Sequence, residues 1–353
     1  MPAPAHVLPA SDLTRFATEL FQKAGASADD AAAIAEVLVW ASLRGIDSHG
    51  LTRIPRYVDM LASGEANPTP EIRVDRSWTG TALVHADHAP GPVALRMAAD
   101  VAVEIGRSVG VGAVGVEQTV HTGAIGYYTD RIARAGLVGV VFVAGMPNMG
   151  YTGARGAAVA TSPLSVAVPD ENGTAFLLDM ATATIALGKI AQYRASGTPL
   201  PEGSAATADG TPTTDPELAK MPLPLGGAKG SGMSLAFELI TSVLVGAPIL
   251  AAVHTGAEGS KRHRQNALVL ALNPDAFGDA ATFRGAVADT IVALKGLPTA
   301  EGGDGVVVPG ERSAAVATQR SSSGVPVSAK VWTELTAASA KYGVPLPTVD
   351  AAP

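Results

Sequence analysis

A chain of 353 residues has room for two or three domains and a large buried core. With 47% hydrophobic and 16% charged residues it reads as globular, not disordered. A net charge of −7 leaves no basic stripe for phosphates, so nucleic acid is excluded as a partner; with no cysteine, disulfides, thiolate nucleophiles and cysteine metal sites are excluded too.

The opening "MPAPAHVLPASDL" has neither a charged n-region nor an apolar h-region, so no signal peptide is expected and the expected location is cytoplasmic. Residues up to about 65 read as helices. Ser11 and Ser27 occupy N-cap positions, Asp30 falls in the first turn after Ser27, and "AAAIAEVLVWASL" supplies helix formers. A third helix runs from about Leu51 to Leu61 and stops at Ser63-Gly64, with Pro55 tolerable only near its first turn. "GPVALRMAADVAVEIGRS" (91–108) is another helix.

The middle changes character. "VGVGAVGVE" (109–117), "LVGVVFVAG" (137–145), "SPLSVAVP" (162–169) and "TAFLLDM" (174–180) read as valine-rich strands. Asp170-Glu171-Asn172-Gly173 between the last two is a hairpin signal, with Asn-Gly supplying positive φ, so part of the sheet is antiparallel. A helix from about Ala124 to Ala135 ends at Gly136. Residues 196–226 form a long polar, proline-rich excursion of the kind that is usually functional or mobile. A helix (about 232–246), a strand (266–274), a helix near 280–296 and a final helix in "PVSAKVWTELTAASAKYG" follow. "LAFELITSVLVGAPILAAV" (235–253) is nearly long enough to span a bilayer, but Glu238 and the break at Gly246-Ala247-Pro248 make it a buried helix plus a turn, and no membrane is expected.

Gly110, Gly112 and Gly115 spell a G-x-G-x-x-G fingerprint in the wrong order: a helix ends before them and a strand contains them, so they are assigned to helix termination and close sheet packing. In "PLGGAKGSGMSLAFELI" (224–240), Gly226, Gly227, Gly230, Gly232 and Lys229 precede a helix, which makes either an anion site or a flexible loop with a solvated lysine. Asp179, at the end of an apolar strand, either caps a helix running through Ala183 to Lys189 or accepts from a ribose or a catalytic neighbour. His121 lies in a strand-to-helix turn, where a histidine is either structural or a general acid or base. His85 and His88 in "VHADHAPG" lack a third ligand, so no metal is expected and a hydrolase using them with Asp87 is the weakest reading. "RGIDSHGLTRIPRYVDML" (44–61) gathers Ser48, His49, Arg53 and Arg56 about a helix start: a donor, an acid/base and two cations suited to a carboxylate, or a capped helix with surface arginines.

Six collinear stretches, "RGIDSHGLTRIPRYVDML", "HTGAIGYYTDRIARAGLVGVVF", "LLDMATATIALGKI", "ADGTPTTDP", "PLGGAKGSGMSLAFELI" and "VVVPGER", resemble the type-2 malate/lactate dehydrogenase family over roughly 44–312. That family includes ureidoglycolate dehydrogenase, sulfolactate dehydrogenase and Δ1-piperideine-2-carboxylate reductase. The resemblance implies an α/β fold of the α+β type, with a non-Rossmann nicotinamide-binding domain on a mixed, largely antiparallel sheet and a helical domain built from both chain ends. The expected segments are 1–108 (helical, substrate side), 109–300 (sheet, NAD(P)-binding) and 301–353 (returning to the helical domain). It also implies a homodimer, NAD or NADP as cofactor, and reversible hydride transfer to C2 of a small 2-hydroxy/2-oxo acid. A cyclic ketimine reductase, and an NAD(P)-binding protein without turnover, are the alternatives.

Carried over by position, His121 matches the family's proton acceptor. Ser48 and His49 match the Ser-His pair of the imino-acid reductases, with Asp179 as candidate for the aspartate completing a relay. Arg53, with Arg44, is matched to the substrate carboxylate. Asp179-Met180-Ala181, Lys229, Gly230, Thr122 and Pro309-Gly310-Glu311-Arg312 match cofactor contacts, Arg312 being the candidate cation for a ribose 2′-phosphate. The chain departs from the family pattern at Thr122, Ala144-Gly145, Ser162, Ala228 and Ser231.

Overall fold

The computed structural model describes residues 6–303 and 305–348. A short strand, β1 (His6–Leu8), leads into α1 (Ala10–Lys23) and α2 (Ala28–Leu43). Ser27 caps α2, accepting from the Asp30 amide at 3.2 Å, and Asp29 and Asp30 lie at the positive end of the helix. Ser11 does not cap α1. Pro9 takes the N-cap with φ −57° and no side-chain bond, so the helix starts at Ala10 and Ser11 falls inside its first turn. The third helix opens with tight 3-10 turns at Asp47–His49 and Leu51–Arg53 before α3 (Ile54–Ser63), which Gly64 closes at φ 73°.

Two strands, β2 (Arg73–Trp78) and β3 (Thr81–His85), lie within the range expected to be helical, and both belong to the main sheet. They are followed by α4 (Gly91–Val109), β4 (Val111–Thr119), α5 (Gly126–Arg134), β5 (Val138–Gly145), β6 (Pro163–Asp170) and β7 (Gly173–Ala181). In the turn between β6 and β7, Gly173 carries the positive φ (124°) and Asn172 does not, so the Asn-Gly pair is not a mirror-image turn. Next come α6 (Leu187–Ser196) and three two-residue strands, β8 (Ala205–Ala206), β9 (Pro212–Thr213) and β10 (Met221–Pro222).

The second half supplies α7 (Ala228–Glu238), which runs on as a π turn at Leu239–Val243, then α8 (Leu250–Thr255), β11 (Gln265–Leu272) and α9 (Ala280–Lys295). The carboxylate in the apolar run has a structural use: buried Glu238 accepts from the Ile249 and Leu250 amides at 2.7 and 2.9 Å, capping α8. No helix among the described residues is long and apolar enough to cross a membrane. The chain ends with α10 (Glu311–Ser323), β12 (Val325–Val327) and α11 (Ala329–Tyr342).

The seven-stranded sheet has the order β2-β3-β4-β11-β5-β6-β7. β3 and β4 are parallel, joined across α4, and the other neighbours are antiparallel. One cross-strand row reads Gly112, Ala271, Gly139, Ala167. Side chains opposite one another share a face, and these small ones let α4 and α5 lie close to the sheet. A Cβ at Gly112 would stand 2.1 Å from the Ala102 carbonyl oxygen of α4. The misordered fingerprint is thus a packing device. On the opposite face Phe142 of β5 meets Phe237 of α7, rings 4.9 Å apart.

Both chain ends pack together: β1 pairs with β12, and Val325, Val327, Val331 and Leu335 share one core with Leu13, Phe16 and the α4 residues. The excursion at 196–226 is not structureless. Its strands β8–β10 form a small sheet, and Leu200, Ala205 and Ala219 join Ile190 of α6 in a separate core. Backbone bonds tie this unit to the rest of the chain: the Leu225 amide donates to Thr182 O (2.9 Å), Thr184 to Leu223 O (2.8 Å) and Gly150 to Pro222 O (3.1 Å).

Gly112→Ala is expected to destabilise by roughly 3 kcal/mol, since the obstacle is backbone. Gly232→Ala, in α7 with nothing within 4 Å of its would-be Cβ, is expected to stabilise by about 0.5–1 kcal/mol. Urea unfolding midpoints of the two variants test this directly.

Candidate active site

The turn at the end of α2 is pinned before it presents any chemistry. Gly50 is required by close approach, because a Cβ there would sit 2.0 Å from Ser42 Oγ, which accepts from the Leu51 amide at 2.9 Å. Asp47 is held from the far end of the chain, its Oδ1 2.8 Å from Arg320 of α10. With both flanks fixed, Ser48 and His49 face one way: Ser48 Oγ lies 3.0 Å from His49 Nδ1, and Arg53 Nε donates to Ser48 O at 2.7 Å. The terminal nitrogens of Arg53 have no partner among the described residues, leaving its fork open to a carboxylate.

His121 arrives from the sheet. The chain leaves β4 through Gln118, a non-glycine residue at φ 56°, a conformation that persists only where the surroundings impose it. Fully buried Asn266 does so, accepting from the Gln118 amide at 2.8 Å while its own amide donates to Ala247 O. The N-terminus of α4 presses on the next turn, where a Cβ at Gly91 would stand 2.5 Å from His121 O.

Tyr57 of α3 then closes on His121. Its hydroxyl is 2.7 Å from the His121 carbonyl oxygen and 2.9 Å from His121 Nδ1. The carbonyl can only accept, so the hydroxyl proton goes there and the oxygen lone pair faces a protonated Nδ1. The Gly123 amide donates toward the same Nδ1 at a longer 3.3 Å, a weaker bond that a protonated Nδ1 forgoes. The two shorter contacts leave Nε2 with a free lone pair. The His49 and His121 rings lie nearly parallel (18°) with centroids 5.8 Å apart, so α3's turn and the β4–α5 turn contribute one histidine each to a common slot.

Protein crowding pulls the His49 pKa down to about 4, with the Arg53 charge adding to it. Burial, then His49, Arg53, His263 and Arg56, hold His121 well below the ordinary imidazole value. Both rings are neutral at pH 7.

Two expectations fail here. Arg44 does not join the Ser48–His49 group. It folds back over the Trp40 ring (4.8 Å) into a buried network, 3.5 Å from Asp130 and donating to Ser313 at 3.3 Å, so its charge is already answered. Asp179 completes no relay, nor does it cap the following helix, which starts only at Leu187. Its Oδ2 accepts from the Gly126 amide at 2.8 Å, capping α5 from another element. Although its surface is open, surrounding protein pushes the Asp179 pKa up to about 6, against the opposing Gly126 bond.

The stretches expected to hold a cofactor gather along edge strand β7. Asp179, Met180 and Ala181 end that strand. Beside its middle, Pro309 O accepts from the Leu177 amide at 3.0 Å, which lays Pro309-Gly310-Glu311-Arg312 at its edge. Glu311 there is paired with Lys295, while Arg312 is exposed. At the strand's end α7 begins at Ala228, so Lys229 and Gly230 lie in its first turn instead of a preceding loop, and Gly226 and Gly227 alone form the bend, at φ 58° and 61°. A Cβ at Gly230 would stand 2.6 Å from Thr182 O. The buried Thr182 hydroxyl beside it has no partner, which fits a polar ligand along this edge. Thr122 is buried, its amide on Gln265 Oε1 at 2.9 Å. The departures at Ser162 and Ser231 are tied down: Ser234 bonds Ser162, and Ser231 bonds Thr152.

His85 is engaged at both nitrogens, by Glu117 and by Asp75 (2.9 Å), and among the described residues no group of metal-ligating side chains forms. Tyr57 escaped the sequence reading although it follows Arg53 by four positions and so shares its helix face. His263, whose charge helps hold the His121 pKa down and which lies 3.6 Å from Glu65, carries no sequence signal beyond a basic run.

A family model described as malate/L-lactate dehydrogenase matches residues 8–336. The chain is 33% identical over 290 residues to ureidoglycolate dehydrogenase (NAD(+)) of Escherichia coli K12, covering 82% of this chain and 83% of that one. It is 34% identical over 295 residues to L-sulfolactate dehydrogenase of Methanocaldococcus jannaschii, covering 83% and 85%. The solved sulfolactate dehydrogenase of M. jannaschii superposes with a TM-score of 0.85 at 29% identity, covering 96% of this chain and 98% of that one.

His49 binds fewer protons folded than unfolded between pH 6.5 and about 4, so stability falls as pH drops through that window. His49→Gln is expected to flatten this part of the stability curve, read as urea midpoints at pH 7 and 4.5. Asp179, raised from 3.8 to about 6, contributes stability that is complete below its unfolded value and lost as pH rises through 6. Asp179→Asn keeps the acceptor for Gly126 and is expected to raise the midpoint at pH 7.5; Asp179→Ala removes the cap and is expected to cost about 1 kcal/mol.

Proposed function

Since the chain belongs to the malate/L-lactate dehydrogenase family, we propose that it transfers hydride reversibly between NAD or NADP and C2 of a small 2-hydroxy/2-oxo acid. It is a dehydrogenase acting on a CH–OH group; the particular acid and the choice between NAD and NADP are properties of the sites on either side of the histidine slot. Ureidoglycolate and sulfolactate, named for two relatives, are themselves 2-hydroxy acids.

The observation that carries the mechanism is the Tyr57 hydroxyl bridging the carbonyl and Nδ1 of His121. With Nδ1 protonated, Nε2 of His121 takes the proton from the substrate hydroxyl, and returns it to the developing alkoxide in the reverse direction. Arg53 holds the carboxylate through its free guanidinium nitrogens. Burial is the main cause of the low His121 pKa and persists with substrate bound; an anion beside Arg53 offsets only the smaller positive contribution to it. His49, fixed by Ser48, closes the slot on its other side. The nicotinamide, when bound, supplies or accepts the hydride at C2. Asp179, Met180, Ala181, Lys229, Gly230 and the Pro309–Arg312 stretch would hold the cofactor, with Thr182 as a further donor.

The test is a panel of 2-oxo acids and Δ1-piperideine-2-carboxylate with NADH and NADPH, followed at the nicotinamide absorbance. A 2-oxo acid is expected to be reduced. His121→Gln should then lower kcat/KM about 10³-fold, as for loss of a general acid–base, with a smaller loss for His49→Gln. Tight cofactor binding with no oxidation across the panel would instead mean binding without turnover, and the reverse order of the two variants would move the proton to His49.

A further inference from the structure

Helix α10 reaches from the edge proposed for the cofactor to the turn that carries Ser48 and His49. It starts on β7: Pro309 O accepts from the Leu177 amide at 3.0 Å, and a Cβ at Gly310 would stand 3.0 Å from that same nitrogen. Its thirteen residues span roughly 20 Å. Ser313, in the first turn, donates to Gly310 O at 2.9 Å and accepts from Arg44. Farther along, Val316 lies against Gly45, where a Cβ would stand 3.3 Å from Val316 Cγ1. Near the far end Arg320 donates to two points of one loop, the Ser42 carbonyl and the Asp47 carboxylate.

Those two points set the Ser48–His49 turn. Ser42 is held by Arg320 through its carbonyl, and through its hydroxyl it accepts from the Leu51 amide at 2.9 Å. The Arg320 side chain is 12% exposed and stands at the C-terminal end of α2, where a cation answers the last carbonyls of a helix. Yet α10 buries none of its own side chains. An element without buried apolar surface sits at the low end of local stability, and a short helix orders or frays cooperatively. The grip of Arg320 on residues 42–47 is then only as firm as the anchoring of the helix at its start.

We propose that α10 couples the cofactor edge to the histidine turn: cofactor contact at Pro309–Arg312 orders the helix, and Arg320 passes that order to the turn carrying Ser48, His49 and Arg53. Arg320 is a positioning residue, acting through Asp47 and Ser42. By reciprocity, a substrate that needs the ordered turn strengthens cofactor binding by the same factor. This rests on the cofactor reading of residues 309–312 above and adds to it what that contact does.

Amide hydrogen exchange over residues 42–51 tests this without turnover. The amides of Ile46, His49 and Leu51 are bonded to Ala41 O, Ile46 O and Ser42 Oγ, so they report opening of the turn. Exchange is measured with and without saturating NADH or NADPH, and cofactor binding is read separately from nicotinamide fluorescence. In the wild type, bound cofactor is expected to slow these amides about ten-fold, an ordinary size for coupling between two sites. Arg320→Gln should still bind cofactor and lose that protection. Arg320→Lys, a point charge in place of a two-acceptor fork, should keep part of it. Asp47→Ala, on a half-exposed side chain, cuts the link from the turn side and should weaken the protection too; should Arg320→Gln not fold, this variant decides. Protection that survives in Arg320→Gln, or in Asp47→Ala, at the wild-type level means that cofactor covers the turn directly, and overturns the inference. A wild-type turn indifferent to bound cofactor overturns it as well, while the cofactor reading stands. If neither nucleotide binds, the cofactor reading falls and the inference falls with it.

Discussion

A single hydroxyl joins the two parts of the molecule that the chemistry needs. Tyr57 belongs to α3, in the layer built from both chain ends, whereas His121 belongs to the turn leaving β4 of the main sheet. Bonding carbonyl and ring of the same histidine at 2.7 and 2.9 Å fixes its rotamer and its tautomer together. Every other device around the site protects that arrangement. Gly50 brings the Ser48–His49 turn against α2, Arg320 holds Asp47 from the C-terminal part of the chain, and Asn266 keeps Gln118 in the left-handed region so that the next residues reach the slot. The site thus draws on residues 42 to 320, and any change that lets the helical layer shift against the sheet loosens the histidine pair.

The sheet carries the contacts proposed for the cofactor. Its central strands are covered on both faces, and the row Gly112-Ala271-Gly139-Ala167 lets α4 and α5 press down on it. Of its two edges, β2 and β7, the second is where the chain lays 309–312 beside Leu177 and the start of α7 beside Thr182. An edge strand offers unpaired backbone groups, and a buried unpartnered hydroxyl at its end is costly unless something polar meets it. Asp179, at that end, ties this edge to the first amide of α5 and thereby to the turn that carries His121.

Much of the fold was legible because it follows from periodicity and punctuation. Ser27, Gly64 and Gly136 sit where local rules put them, and the order of helix, glycines and strand at 109–117 was enough to reject a Rossmann fingerprint. What escaped depends on partners distant in sequence. Asp179 read as a cap for the next helix, but the nearest free amides in space belong to Gly126, fifty-three residues earlier. Arg44 was grouped with Arg53 as a substrate cation, yet Trp40 and Asp130 turn it inward. The excursion at 196–226 read as loop because its strands are two residues long, too short for any pattern, and its core is borrowed from α6. Ser48, His49, Arg53 and His121 were all nameable from the sequence; their common slot, and Tyr57's part in it, required the fold.

The measurement that bears most directly on this account is the tautomer of His121. In ¹⁵N-histidine-labelled protein at pH 7, with His121→Gln used to assign the signal, the account requires the proton on Nδ1 and a bare Nε2, and a shift of that equilibrium in Tyr57→Phe. A His121 ring protonated on Nε2, with Nδ1 accepting from the Gly123 amide and indifferent to Tyr57, would contradict it.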